Sequence, residues 1–172
     1  MGTGAGERLP WLAALADVPG LRRRIYGNSW QGLTTPGWEQ HGAVTGETYA
    51  RAISGARLVL GLLRQANGDL STDRSYEIGA IGGCGLYKDS EEHRALLPDY
   101  PEQGFFRDPA ELRRHALAIL ADPALQETLR QKGALALRRP EHTYGARLRT
   151  ILEWAEAHSA PNDGGAAHAS DA

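Results

Sequence analysis

Between Asn67 and Glu77 the sequence crowds Asn67, Asp69, Thr72, Asp73, Arg74 and Glu77 directly behind an apolar run, Arg57 to Leu63. A simple connector needs no such density of polar groups. Ser71 and Thr72 at a helix start offer free backbone N–H groups at the positive end of a helix dipole. Arg74 adds a guanidinium, and the three together suit a diphosphate. Glu77 lies about one helical turn further in, where a carboxylate can accept two hydrogen bonds from a ribose diol. Asp69, after Asn67-Gly68, reads by default as a turn residue. Gly79, Gly82, Gly83 and Gly85 strip side chains from the surroundings, so that a ligand or a neighbouring strand can approach the backbone. The plain alternative for Arg74 and Glu77 is an ion pair on an exposed helix face, worth only about 0.2–0.5 kcal/mol. Cys84, among glycines and before Leu86, reads as a small core residue rather than a nucleophile. His93 reads as a surface histidine or one that reaches a cleft, and Trp30 and Trp38 as lining a cleft or covering a sheet edge.

The elements that must position these residues follow from periodicity and punctuation. The glycine-rich opening, Gly2 to Gly6, lacks the preceding strand that makes a phosphate-cradling loop credible and reads as a flexible terminus. A helix is expected over Leu9 to Val18, stopped by Pro19-Gly20, and a strand over 22–26 leading into the Gly27-Asn28 turn. A helix follows over Gly46 to Gly55, then a buried strand over 57–63 whose near-continuous apolar character belongs to a parallel sheet covered on both faces. The polar loop Arg64 to Asp73 feeds a helix over Ser75 to Ile81. Short strands are expected at 84–87 and 104–106, with a helix around Ser90 to Leu96 between them. Asp108-Pro109 and Asp122-Pro123 each pair an N-cap aspartate with proline at the first helical position, and so start two further helices. A last helix, about Tyr144 to His158, is expected to turn Leu148, Ile151, Leu152 and Ala155 inward. The fold class is α/β, a Rossmann-like parallel sheet flanked by helices, with one domain over 1–158 and a disordered tail over 159–172.

Bulk properties bound the function. The 172 residues are 41% hydrophobic and 23% charged, enough for one domain with a real core. A net charge of −2 supplies no basic footprint, so nucleic acid is not an expected partner. One cysteine excludes an intrachain disulfide and a cysteine-built zinc site, and fits a cytoplasmic setting. No apolar run approaches the ~20 residues of a membrane-spanning helix. No metal and no cofactor is implied, since Arg74 and the helix dipole can neutralise a diphosphate.

The run Asn67-Gly68-Asp69-Leu70-Ser71-Thr72-Asp73-Arg74-Ser75-Tyr76-Glu77-Ile78-Gly79-Ala80-Ile81-Gly82-Gly83, continuing to Glu92-His93, resembles the signature of the glycosyltransferases related to spore maturation protein CgeB. Weaker matches in the same order are Ile25 to Trp30, Phe106 to Leu112 and His142 to Arg147. The resemblance implies the nucleotide-sugar-binding half of a GT-B glycosyltransferase, in which two acids eight positions apart contact the donor sugar and the nucleotide ribose. Asp69 and Glu77 stand at that spacing, with aspartate where the wider group has glutamate. The implied donor-binding set is Asn67, Asp69, Thr72, Arg74, Glu77, Gly82 and Gly83, and the implied ligand a nucleoside-diphosphate sugar; catalytic residues are not implied. Against the family pattern, the strand before the glycine-rich loop and the N-terminal acceptor domain are missing, so a separate acceptor-domain protein is an expected partner. The alternative is a non-catalytic nucleotide-sugar-binding module or subunit. A nicotinamide-dependent dehydrogenase ranks third, for want of a strand-preceded G-x-G-x-x-G.

Overall fold

A computed structural model describes residues 5–28, 30 and 32–159 of the chain. It divides into two compact units, residues 1–138 and 139–172.

In the first unit every strand pair among the described residues is parallel. Strands β3 (Val59–Gly61), β4 (Gly85–Lys88) and β5 (Phe105–Phe106) form one sheet with β4 in the centre, Leu60 opposite Leu86 and Tyr87 opposite Phe105. β4 is buried on both faces at its centre, where Leu86 and Tyr87 expose nothing to solvent. The Tyr87 ring needs its neighbours to be small: a Cβ on Gly61 would stand 2.5 Å from it. Against this sheet pack Ile78, Leu97, Leu112, Ile119 and Leu129.

Strands β1 (Arg24–Tyr26) and β2 (Glu39–His41) form a separate two-stranded parallel sheet. The strand expected at 22–26 is therefore present, but it does not join the sheet that holds 59–61 and 85–88. Its partner was not expected to be a strand, since Glu39, Gln40 and His41 are all exposed and carry no apolar signal. Polar chemistry fastens the pair: Arg24 reaches Glu39 at 3.2 Å, and Arg23 Nε donates to the Gly37 carbonyl at 2.8 Å. Trp30 and Trp38 belong to this region. Trp30 packs with Leu12 and Ile25, and Trp38 Nε1 donates to the Leu12 carbonyl at 3.0 Å.

The helices are α1 (Ala5–Ala13), α2 (Gly46–Ser54), α3 (Asp73–Ile81), α4 (Glu91–Leu96), α5 (Pro109–Ala121), α6 (Pro123–Leu137) and, in the second unit, α7 (Tyr144–His158). Helix α1 starts and ends earlier than periodicity indicated, taking in Ala5 and Gly6 of the glycine-rich segment and tolerating Pro10; residues 1–4 lie outside the described residues. Later boundaries fall where their caps dictate. Asp108 accepts from the Glu111 N–H at 2.8 Å, and Asp122 from Ala124 and Leu125 at 2.9 and 3.0 Å. Helix α3 lies against α6 with little side chain between them, since a Cβ on Gly79 would stand 2.8 Å from the Gly133 carbonyl oxygen.

Within the second unit, a short 3-10 turn, Pro140–His142, precedes α7, whose Thr143 cap accepts from the Ala146 N–H at 3.2 Å. The helix has the expected limits, but its apolar residues are not turned inward. Leu148, Ile151 and Leu152 are 56%, 61% and 52% exposed, and α7 has no buried residue. A 3-10 turn is too small to cover that stripe. Of the expected tail, residues 160–172 lie outside the described residues.

Candidate functional site

Parallel sheets gather their loops at the carboxyl ends of the strands, and there the polar run emerges. After β3 the chain passes Leu62, Leu63 and Arg64 into a 3-10 turn, Gln65–Asn67, and then through Gly68 at φ 65°. Only glycine takes that left-handed backbone without strain. The Asp69 N–H returns to the Arg64 carbonyl at 3.4 Å, and Asn67 Nδ2 points to Asp69 Oδ2 at the same distance. The next residues are tied to α4. Ser90 Oγ donates to the Leu70 carbonyl at 2.6 Å while accepting from the His93 N–H at 3.1 Å, and Ser71 hydrogen-bonds Glu92.

Thr72 caps α3 in extended conformation, its N–H donating to Ser75 Oγ at 2.8 Å. Ser75 is buried and meets His93 Nε2 at 2.6 Å, while His93 Nδ1 lies 2.6 Å from the Lys88 carbonyl oxygen. A carbonyl only accepts, so Nδ1 carries the proton and Nε2 accepts from the Ser75 hydroxyl. His93 is fully buried, and that burial lowers its pKa from the ordinary value. It is neither a surface histidine nor one that reaches a cleft: it links the first turn of α3 to the end of β4. Cys84 is likewise fully buried, its thiol pushed up to about 11, and it sits in the core as expected.

The first turn of α3 presents N–H groups that have no acceptor within the helix. Arg74, its second residue, is exposed. It has company that the sequence did not disclose. Arg8, on α1, has its proton affinity lowered by burial and then by the nearby charges of Arg74 and Arg64, with Glu7 opposing. Arg8 Nε is buried without a hydrogen-bond partner. Arg8 thus lies in the combined field of Arg74 on α3, Glu7 beside it on α1 and Arg64 in the β3–α3 loop.

Glu77 lies one turn further along α3, and its Oε2 accepts a 2.5 Å hydrogen bond from the hydroxyl of Tyr49 on α2. On the loop side of α3 is an open cavity of about 320 Å³, walled by Trp11, Leu63 and Leu70 with Asp69, Lys88 and Asp89 as polar groups. Lys88 Nζ stands 5.3 Å from the centre of the Trp11 ring and donates to the Arg107 carbonyl at 2.7 Å. Asp89 is held below the usual carboxylate range by its hydrogen bonds from Arg94, at 2.7 and 3.0 Å.

Of the residues singled out from sequence, the structure brings Asn67, Asp69, Thr72 and Arg74 to one loop and the helix turn it feeds, with Glu77 one turn further along. Gly82 and Gly83 are at the other end of α3, a 9-residue helix that rises ~13 Å. Packing accounts for both. Gly82 ends the helix in left-handed conformation at φ 92°, and a Cβ on Gly83 would press on Ile53 and Ile78. Lys88 and Asp89 were legible in principle, as the polar residues immediately after an apolar strand. Arg8, Trp11 and Tyr49 carried no local signal, because only the packing of α1 and α2 brings them here. Among the described residues no group of three histidine, cysteine or acidic side chains gathers to hold a metal ion, and no helix is long and apolar enough to cross a membrane.

The family model described as "Glycosyl transferase-like" matches residues 8–153, which takes in Arg8, Tyr49 and the run from Asn67 to Glu77. No curated protein and no solved structure matches the chain.

Proposed function

The chain belongs to the glycosyl transferase-like family, and from that premise we propose that it is the donor-binding half of a glycosyltransferase, holding a nucleoside-diphosphate sugar at the N-terminal turn of α3. The observation that carries the proposal is Arg8, whose buried Nε has no hydrogen-bond partner and which lies in the field of Arg74 on that turn, with Glu7 opposing and Arg64 adding to it. Cations held near one another in a partly buried place raise the energy of the empty protein, and a polyanion relieves it. On this reading the diphosphate lies across the α3 N–H groups and the three guanidinium groups. Glu77 takes the ribose diol on one side, and the cavity with Asp69 and the Trp11 face takes the sugar on the other. As the bond from the sugar carbon to phosphate oxygen breaks, its electron pair leaves on the diphosphate, where these charges stabilise it. The attacking hydroxyl belongs to the acceptor. The finer assignment, to the GT-B branch related to CgeB, rests on the run Asn67 to Gly83, and a cytoplasmic setting on the single buried cysteine.

Thermal unfolding with and without ligand tests this, because a ligand selective for the folded state raises the melting temperature. UDP, GDP or another nucleoside diphosphate is expected to stabilise the chain and free glucose is not. Arg8→Met, which keeps the apolar stem, is expected to leave the unliganded melting temperature unchanged or higher. The same substitution is expected to weaken nucleoside-diphosphate binding by about 1.5–3 kcal/mol, the scale of hydrogen bonds to charged groups. Equal stabilisation by glucose and by its UDP or GDP conjugate contradicts the proposal, as does an Arg8→Met protein that loses stability and keeps its affinity.

A further inference from the structure

Helix α2 runs alongside α3. Ile53, one turn beyond Tyr49, is buried where a Cβ on Gly83 would meet it at 2.7 Å, at the C-terminal end of α3. Tyr49 therefore stands beside the N-terminal half of α3, half-buried, on a helix fixed at its other end by packing. Its hydroxyl proton is committed to Glu77 Oε2 at 2.5 Å. Burial and the Glu77 charge both push the phenol pKa well above its ordinary value, so the proton stays on the tyrosine at any working pH. Arg74 and Asp73 also act on this phenol, which places it in the field of the same helix turn that carries the candidate diphosphate site.

Two consequences follow from the donor inventory. A tyrosine that donates its only proton has an oxygen left with acceptor capacity alone, and a carboxylate bonded at Oε2 has Oε1 for another donor. The pair thus offers two acceptors side by side from adjacent helices. A vicinal diol presents two hydroxyl donors in the same way, whereas a 2′-deoxyribose presents one.

We propose that Tyr49 is a positioning and specificity-determining residue for the donor nucleotide, holding Glu77 in the rotamer that takes a ribose diol and thereby selecting ribonucleotides over 2′-deoxyribonucleotides. This rests on the assignment of Glu77 to the ribose. Glu77 has side-chain freedom that a helix surface does not remove, and the phenol removes it before the ligand arrives.

Affinities of UDP, GDP, ADP and CDP and of their 2′-deoxy counterparts, measured by calorimetry for wild type, Tyr49→Phe and Glu77→Gln, test the proposal. Tyr49→Phe keeps the ring and its packing. It is expected to weaken the preferred ribonucleotide about three- to tenfold and to leave its 2′-deoxy counterpart unchanged, so that the ratio of the two falls toward that of Glu77→Gln. If Glu77→Gln collapses the ratio and Tyr49→Phe does not, Tyr49 is only a strut between α2 and α3, and the inference fails alone. Equal weakening of both nucleotides by Tyr49→Phe fails it in the same way. A ratio unmoved by Glu77→Gln, or no binding by any nucleotide, overturns the ribose assignment itself and the inference with it. Melting temperatures of the unliganded proteins separate loss of folding from loss of selectivity.

Discussion

Arg8 carries a cost that packing alone does not explain: its Nε is buried with no partner, and burial first, then Arg74 and Arg64 against the opposing Glu7, lower its proton affinity. The sequence announced Arg74, Asp69 and Glu77 because they are neighbours along the chain, where type and spacing can be read. It could not announce Arg8 or Tyr49, which reach the same place through tertiary contacts over long separations. His93 is a subtler case, for Glu92-His93 was part of the recognised run while the histidine's task is internal. Its Nε2 accepts from Ser75, whose Oγ holds the Thr72 N–H at the start of α3. That arrangement needs the neutral ring, and burial lowers the pKa of His93 from its ordinary 6.5. The sign follows from linkage: with the folded pKa below the unfolded one, the unfolded chain takes the proton first as pH falls. Stability is then full above the unfolded value of about 6.5 and declines as pH drops through it toward the folded value. The hydrogen bond to the Lys88 carbonyl, then Glu92 and Asp89, oppose the shift without reversing it. In urea melts at stepped pH, wild type is expected to lose stability on going from pH 7 to pH 5 and His93→Gln to show a shallower slope over the same interval. Parallel slopes would remove His93 as the titrating group.

At the scale of elements, the site depends on where α3 is held. Its N-terminal end is tied to α4 through Ser90, Ser71 and His93, and its body lies on α6 through Gly79. Gly79→Ala is therefore expected to destabilise the protein by about 1–3 kcal/mol, as overpacking does, because the new methyl meets the Gly133 carbonyl oxygen at 2.8 Å and a Leu137 methyl at 2.6 Å. Backbone cannot yield there as a flexible side chain would. Chemical denaturation checks the loss, and an alanine variant as stable as wild type would show that α3 and α6 part easily. The same contrast between local and non-local physics sorts what was legible in the fold. The starts of helices α4 to α7 were readable to within a residue or two because capping by Ser90, Asp108, Asp122 and Thr143 is local to each start. Strand β2 was not, since Glu39, Gln40 and His41 are exposed and apolar patterning is silent about them. Nor was the division of strands between two sheets, for pairing joins residues such as Ile25 and Gln40 that no local pattern connects.

For the whole molecule, the two units carry different shares of what a domain needs. Both core clusters, from Leu12 to Leu137, belong to residues 1–138, and so do Arg8, Tyr49, Asp69, Arg74, Glu77 and the cavity. The second unit contributes α7, which buries none of its residues although Leu148, Ile151, Leu152 and Trp154 are large and apolar. Apolar burial supplies most of the favourable free energy of folding, so the cooperative unit and the site should share one boundary. Arg138 belongs inside it, because its Nε donates to the Ala80 carbonyl at 2.8 Å and ties the end of α6 to α3. A chain ended after Arg138 is accordingly expected to unfold in one transition with a denaturant slope scaled to its length. It should bind the preferred nucleoside diphosphate within about threefold of the full chain, a difference below about 1 kcal/mol. It is also expected to be the more soluble form, since truncation removes an exposed apolar stripe of the kind that drives association. Circular dichroism melts and calorimetry on the two chains decide the matter. If the shortened protein melts without cooperativity, or binds the nucleotide more than tenfold more weakly while remaining folded, then α7 belongs to the donor-binding unit and the boundary at Arg138 does not mark the functional one.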